Sequence, residues 1–93
     1  MERTLIRIID ICQSHQIELQ FIRNLSSNGL IEVVTQGEEE FVKEEELKAL
    51  EQFATWHYDL EINLQGIEVA QHLLHKIERL QEEIRFLRTE ING

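Results

Sequence analysis

Proline is absent from this sequence of 93 residues, and glycine occurs only four times. Because these residues are the commonest helix breakers, their scarcity predicts a mainly helical chain with few sharp turns. Cysteine is also scarce, and the single Cys12 cannot form an internal disulfide. Charged residues interrupt every hydrophobic cluster, so no segment approaches the roughly 18 apolar residues of a membrane span.

Basic residues are few relative to acidic ones. Nine Lys and Arg stand against 18 Asp and Glu, which gives a net charge of −9. This excess disfavours a nucleic-acid binder, whose affinity comes largely from Lys and Arg on phosphates. Met1-Glu2-Arg3-Thr4 lacks the features of a secretory signal peptide, so we expect a cytoplasmic protein without membrane association. The length predicts one modest core that benefits from a partner subunit.

Apolar periodicity predicts two short helices, a small hairpin and a third helix before residue 59. The helical positions are Ile8, Ile11 and Cys12, then Leu19, Ile22 and Leu25, and later Leu47, Leu50, Phe53 and Ala54. Asn28-Gly29 is a helix stop, and Glu44-Glu45-Glu46 is a favourable helix start. Residues 30–34 and 40–42 read as two strands joined by Thr35-Gln36-Gly37.

The last segment carries an unbroken heptad repeat, which predicts a coiled-coil homodimer. Its a and d positions are Ala70, Leu73, Ile77, Leu80, Ile84, Leu87 and Ile91. An ion pair between Glu83 and Arg88 of the two helices would suit a parallel dimer. A pair between Lys76 and Glu90 would suit an antiparallel one, so both orientations stay open. We divide the chain into a domain of residues 1–66 and a dimerisation helix of residues 67–93.

Candidate catalytic chemistry is sparse. Glu68, His72 and His75 share a helix surface, but without a further Cys or His they indicate a solvated face and no metal site. Cys12 has no Lys or Arg at helical spacing, so we expect a core thiol and no nucleophile. His57, between Trp56 and Tyr58, is expected to close the core. No phosphate loop or catalytic triad is present, and we expect neither enzymatic activity nor a cofactor.

Two acidic runs, Glu38-Glu39-Glu40 and Glu44-Glu45-Glu46, support two interpretations. They form either a solvated wing and helix start, or a docking surface for a basic partner, because a patch of one sign steers association.

The order of elements resembles that of MerR-type winged helix-turn-helix proteins. Ile8-Ile9-Asp10-Ile11-Cys12 is similar to the family's first helix, Asn28-Gly29-Leu30-Ile31 to the exit of the second, and Glu46-Leu47-Lys48-Ala49-Leu50 to the start of the third. The resemblance implies a mainly α winged helix-turn-helix with a two-stranded wing and a long coiled-coil helix. Arg23 is retained, but Glu38-Glu39-Glu40 stands in the wing and would repel a DNA backbone.

A narrower resemblance lies in the hinge. The stretch His57-Tyr58-Asp59-Leu60-Glu61-Ile62-Asn63-Leu64-Gln65-Gly66-Ile67-Glu68, followed by the heptads, is similar to that of the CbpM-like chaperone modulators. This resemblance implies a regulator that binds the J-domain of a DnaJ-type co-chaperone of the curved-DNA-binding class and inhibits it. The alternatives are a MerR-like transcription regulator and an accessory dimerisation adaptor.

J-domains generally present a basic helix to their Hsp70 partner, so an acidic surface could compete for it. The candidate contacts are therefore the glutamates Glu38, Glu39, Glu40, Glu44 and Glu45, with Arg23 and Asn24 of the second helix as a weaker alternative surface.

Overall fold

A computed structural model describes residues 4–92 and confirms the predicted winged helix-turn-helix followed by a long helix. Residues 1–3, used above to judge a signal peptide, and residue 93 lie outside the described part. The elements in chain order are β1 (Leu5–Arg7), α1 (Ile8–His15), α2 (Leu19–Ser27), β2 (Val33–Gln36), β3 (Glu39–Lys43), a 3-10 turn (Glu44–Glu46), α3 (Leu47–Ala54), a π-helical turn (Thr55–Asp59) and α4 (Leu64–Asn92).

The helix-turn-helix forms where the two predicted apolar faces meet. Ile8 and Ile11 of α1 are buried, as are Phe21, Ile22 and Leu25 of α2. Gln16 ends α1 in the left-handed conformation, with φ of 53°. The next residue, Ile17, donates its backbone N–H to the Cys12 carbonyl at 3.1 Å and enters the core. The turn between the helices is therefore held by both a hydrogen bond and burial.

Helix α2 ends as the Asn28-Gly29 signal predicts. Gly29 takes a φ of +73°, which a residue with a side chain rarely adopts. The Leu30 N–H donates to the Leu25 carbonyl at 2.9 Å, a bond that closes the last turn.

The predicted wing hairpin is formed by β2 and β3, and β1 extends it to a sheet of three strands in the order β1-β3-β2. β1 runs antiparallel to β3, with Ile6 opposite Val42. A strand of three residues is too short to show the alternation of apolar and polar residues that identifies a strand in sequence. Only its pairing with β3 defines it.

The hairpin is also shifted relative to the prediction. β2 starts at Val33 and the turn is only Gly37-Glu38. Leu30 and Ile31, predicted as strand, lie in the connection instead, because Leu30 closes α2 and Ile31 is buried in the core.

Helix α4 is anchored to the body at its start. Ile67 is fully buried, and Ile62 and Leu64 pack against the same core. The Asn63 side chain caps the helix by accepting the Gly66 N–H at 2.8 Å. The first turns of α4 thus contribute to the core, while the rest of the helix extends away. Among the described residues, no helix has both the length and the apolar character needed to cross a membrane.

Because Ile67 anchors α4, substitutions at two nearby positions of this helix should lower the free energy of unfolding by different amounts. Ile67→Ala should lower the free energy of unfolding by about 2–5 kcal/mol, because it leaves a cavity in the core. Val69→Ala is the control, since Val69 is 59% exposed and its truncation should cost less than about 1 kcal/mol. Urea unfolding at one protein concentration measures both. Equal losses would contradict the anchoring role of Ile67.

Candidate partner-binding site

A groove of about 200 Å³ lies between the starts of α1 and α2 and the wing turn. Every segment that forms it belongs to the helix-turn-helix or to the sheet. Its lining residues are Arg7, Ile8, Ile9, Leu19, Arg23, Glu38, Glu39 and Glu40. The groove therefore joins the wing glutamates and Arg23, which the sequence analysis treated as two alternative surfaces.

Two ion pairs connect the wing to the helical side of this groove. Arg23 Nη2 lies 3.2 Å from Glu40 Oε1, and Arg7 Nη1 lies 3.3 Å from Glu39 Oε2. All four side chains are at least one-third exposed, so each pair contributes at most about 1 kcal/mol to folding. Their main effect is to offset the positive charge of both arginines of the groove, because each guanidinium is paired with a carboxylate of the same chain.

Arg7 also donates from Nε to Asp10 Oδ2 at 3.2 Å. The hydrogen bonds to Asp10 and then Glu39, together with their negative charges, raise the pKa of Arg7 above its ordinary value. The guanidinium is therefore held between two carboxylates and stays fully charged.

The second acidic run lies away from the groove. Glu44 follows the opposite end of β3, about 13 Å from Glu40 at the usual rise of a strand. Its N–H donates to the Thr4 carbonyl at 2.9 Å. Glu46 turns back to accept the Glu32 N–H at 3.2 Å. Glu44 and Glu45 are thus separated from Glu38, Glu39 and Glu40 by the length of the strand.

Asn24 lies on the exposed side of α2, one residue after Arg23. Its Oδ1 accepts a hydrogen bond from Gln20 Nε2 at 3.0 Å, and its carbonyl accepts one from Asn28 Nδ2 at 2.8 Å. Asn24 is therefore engaged within the helix surface beside the groove.

The predicted aromatic cluster links α2 to the hinge before α4. The His57 ring stacks on Phe21, with centroids 4.6 Å apart, and its Nδ1 donates to the Ile62 carbonyl at 3.0 Å. Tyr58 Oη accepts the Glu18 N–H at 3.0 Å, at the start of α2. Trp56 packs against the core, in agreement with the prediction that this cluster closes it.

The heptad seam is a row of exposed apolar side chains along α4. Its residues from Leu73 to Leu87 are 48–55% exposed, and Ile91 is 81% exposed. Ala70 is half-buried at the end near the body. Phe86 is 63% exposed and lies outside the a and d positions. The seam thus follows one side of a helix about 43 Å long, given 29 residues at about 1.5 Å each.

The residues weighed as metal ligands do not converge. Within residues 4–92, no group of three or more His, Cys, Asp or Glu side chains is placed to hold a metal ion. His75 Nε2 instead lies 3.0 Å from Gln71 Nε2 on the surface of α4.

Two helices joined by a tight turn, with a hairpin wing beside the second helix, define a winged helix-turn-helix protein. Residues 6–89 match the family described as MerR HTH family regulatory protein. The chain belongs to this family. Comparison with curated proteins finds no match, and comparison with solved structures finds none either.

Sequence reasoning missed four residues that line the groove: Arg7, Ile8, Ile9 and Leu19. Leu19 was assigned to the apolar face of α2, but it is 39% exposed. Arg7 and Ile9 flank the buried Ile8 at the junction of β1 and α1. The signal that could have revealed Ile9 is that Ile8 and Ile9 are consecutive, so one helix face cannot bury both.

The environment of Cys12 gives a test of its assignment as a core thiol. Burial raises the pKa of this thiol, with a smaller opposing effect of a backbone hydrogen bond. Because the thiolate is the reactive form, iodoacetamide at pH 7.5 should alkylate the native chain on the order of tenfold more slowly than the urea-unfolded chain. Mass spectrometry over time measures both rates. Equal rates would show that Cys12 is reactive in the folded state.

Proposed function

We propose that this chain is a non-catalytic regulator whose groove and wing bind a protein, the J-domain of a DnaJ-type co-chaperone. One observation carries the proposal: Arg7 and Arg23 of this face are paired with Glu39 and Glu40 of the wing. Glu38 is an additional carboxylate beside these two pairs, so the face has a net negative charge that suits a protein surface with basic side chains.

Electrostatics disfavours DNA as the partner of this face. A DNA-binding wing and helix need free cations for phosphates, because counterion release supplies much of the affinity. Here each arginine is paired with a carboxylate, Glu38 adds a further negative charge, and the chain carries −9 overall. A phosphate approaching the groove would compete with Glu39 and Glu40 for the same guanidinium groups.

The choice of a J-domain rests on the resemblance of residues 57–68 and the following heptads to the CbpM-like chaperone modulators. The basic helix with which a J-domain engages Hsp70 could place its lysines and arginines against the carboxylates of the wing. Occupying that helix would inhibit the co-chaperone by competition, which requires no catalytic group.

We also propose that the seam of α4 pairs with the same seam of a second copy. Its apolar residues are spaced alternately three and four positions apart, which lets side chains of one helix insert between those of an identical helix. Flanking residues of both signs, among them Lys76, Glu83 and Arg88, allow charge pairing at the edges. A homodimer would present two grooves.

The first test reverses the wing charge. Glu39→Lys with Glu40→Lys removes both carboxylates that face Arg7 and Arg23. It should slow association with the isolated J-domain about tenfold at low salt and flatten the salt dependence, because such charges act mainly on encounter. Stopped-flow association and titration calorimetry at two salt concentrations measure this. Glu78→Lys with Glu82→Lys, on the exposed part of α4, makes the same change of net charge as a matched control.

A gel shift with duplex DNA at physiological salt accompanies this test. The wild type should give no shift, whereas the wing variant should gain non-specific binding because Arg23 is released from Glu40 and two lysines replace two carboxylates. A sequence-specific shift by the wild type would favour a MerR-like transcription regulator. Undiminished J-domain binding by the wing variant would relocate the interface. Failure of the wild type to bind any J-domain from its own cell would reject the chaperone-modulator function and leave a dimerisation adaptor.

The dimer has its own test. Ile84→Glu should give a monomer at micromolar concentration, because it places a charge at a central a position of the seam. Phe86→Glu is the control, since it makes the same kind of change two residues away but outside the seam, and the dimer should persist. Analytical ultracentrifugation measures both. A wild-type chain that sediments as a monomer would contradict the proposal.

A further inference from the structure

The lining of the groove includes two exposed apolar side chains that neither its charges nor the core explains. Ile9 is 64% exposed and Leu19 is 39% exposed, and both line the groove. Resting on the function proposed above, we infer that Ile9 and Leu19 anchor the partner by receiving an apolar side chain from an amphipathic basic helix. The binding site would then have two parts, the acidic wing and an uncharged apolar anchor.

The position of these two side chains follows from the helix-turn-helix. Ile8 must face the core, so the next residue of α1 faces outward. Leu19 is the first residue of α2, just before the buried Phe21 and Ile22. Neither Ile9 nor Leu19 belongs to the core cluster or to the apolar residues packed against it. Their apolar surface is therefore available for a ligand.

The charged side chains around Ile9 and Leu19 select the ligand. Arg7 with Glu39 and Arg23 with Glu40 border these two residues, and Glu38 lies at the wing end. A lysine or arginine of a partner helix can reach Glu39 or Glu40 while an apolar residue of the same helix rests on Ile9 and Leu19. The pairs with Arg7 and Arg23 use Oε2 of Glu39 and Oε1 of Glu40, so a partner cation can approach the other oxygen of each carboxylate without breaking the pair. A nucleic-acid backbone presents charged phosphates and has no apolar side chain that could rest on Ile9 and Leu19.

The two parts of the site should differ in kinetic role. Wing carboxylates act over a distance and set the association rate. Apolar anchors act on contact and set the dissociation rate, as buried central residues do at most protein interfaces. Truncating the anchor should therefore weaken binding equally at low and high salt, unlike reversing the wing charge.

The experiment compares the full-length wild type with Ile9→Ala, Leu19→Ala and the double variant. Leu60→Ala is the matched control, because Leu60 is 60% exposed but does not line the groove. Circular dichroism and urea unfolding check that all variants fold. Biolayer interferometry at two salt concentrations uses two probes. One is the isolated J-domain, and the other is a synthetic amphipathic helix with one face of lysines and one face of leucines.

The double variant should bind the J-domain at least about tenfold more weakly than the wild type, with most of the change in the dissociation rate at both salt concentrations. Leu60→Ala should bind like the wild type. If the wild type binds the J-domain and the double variant binds equally well, the anchor is wrong and the proposed function stands. If only the synthetic helix binds and its binding needs Ile9 and Leu19, the anchor stands and the J-domain function fails. Binding of neither probe rejects both.

Discussion

Strand β3 is the element on which the rest of the molecule depends, because it pairs with β1 on one side and β2 on the other. Its Val42 is fully buried and faces the helices. The strand also determines where charge is displayed. Glu39 and Glu40 lie at the end that meets α1 and α2, and Glu44 follows the opposite end. Core packing and the division of the acidic residues thus follow from one strand.

Much of the fold could be predicted from local pattern. The apolar spacing of Ile22 and Leu25 located α2, Gly29 located its end, and the heptads located α4. β1 could not be found in this way, because three residues form a strand only when a distant strand pairs with them. Leu30 and Ile31 had strand-like composition, but the closure of α2 and the burial of Ile31 overrode that propensity.

The candidate site was predicted only in part, for a related reason. Both acidic runs were visible, as was Arg23, but their distances depend on tertiary structure. The sequence could not reveal that Glu40 reaches Arg23 across 17 positions or that Glu39 reaches Arg7 across 32. Nor could it separate Glu44 from Glu40, which are close in sequence but lie apart along β3. Side chains from β1, α1, α2, β3 and the wing turn make the groove, and only the fold brings them together.

The pairing of Arg7 and Arg23 with the wing also bears on how such a protein can change over evolutionary time. Within the described residues, no polar or charged side chain is buried, so the core is apolar throughout. The side chains that give the groove its charge are exposed and lie outside that core. A few substitutions at the wing can therefore reverse the sign of this face while every packing contact beneath it is kept. In this scaffold the choice of partner and the stability of the fold can be altered separately.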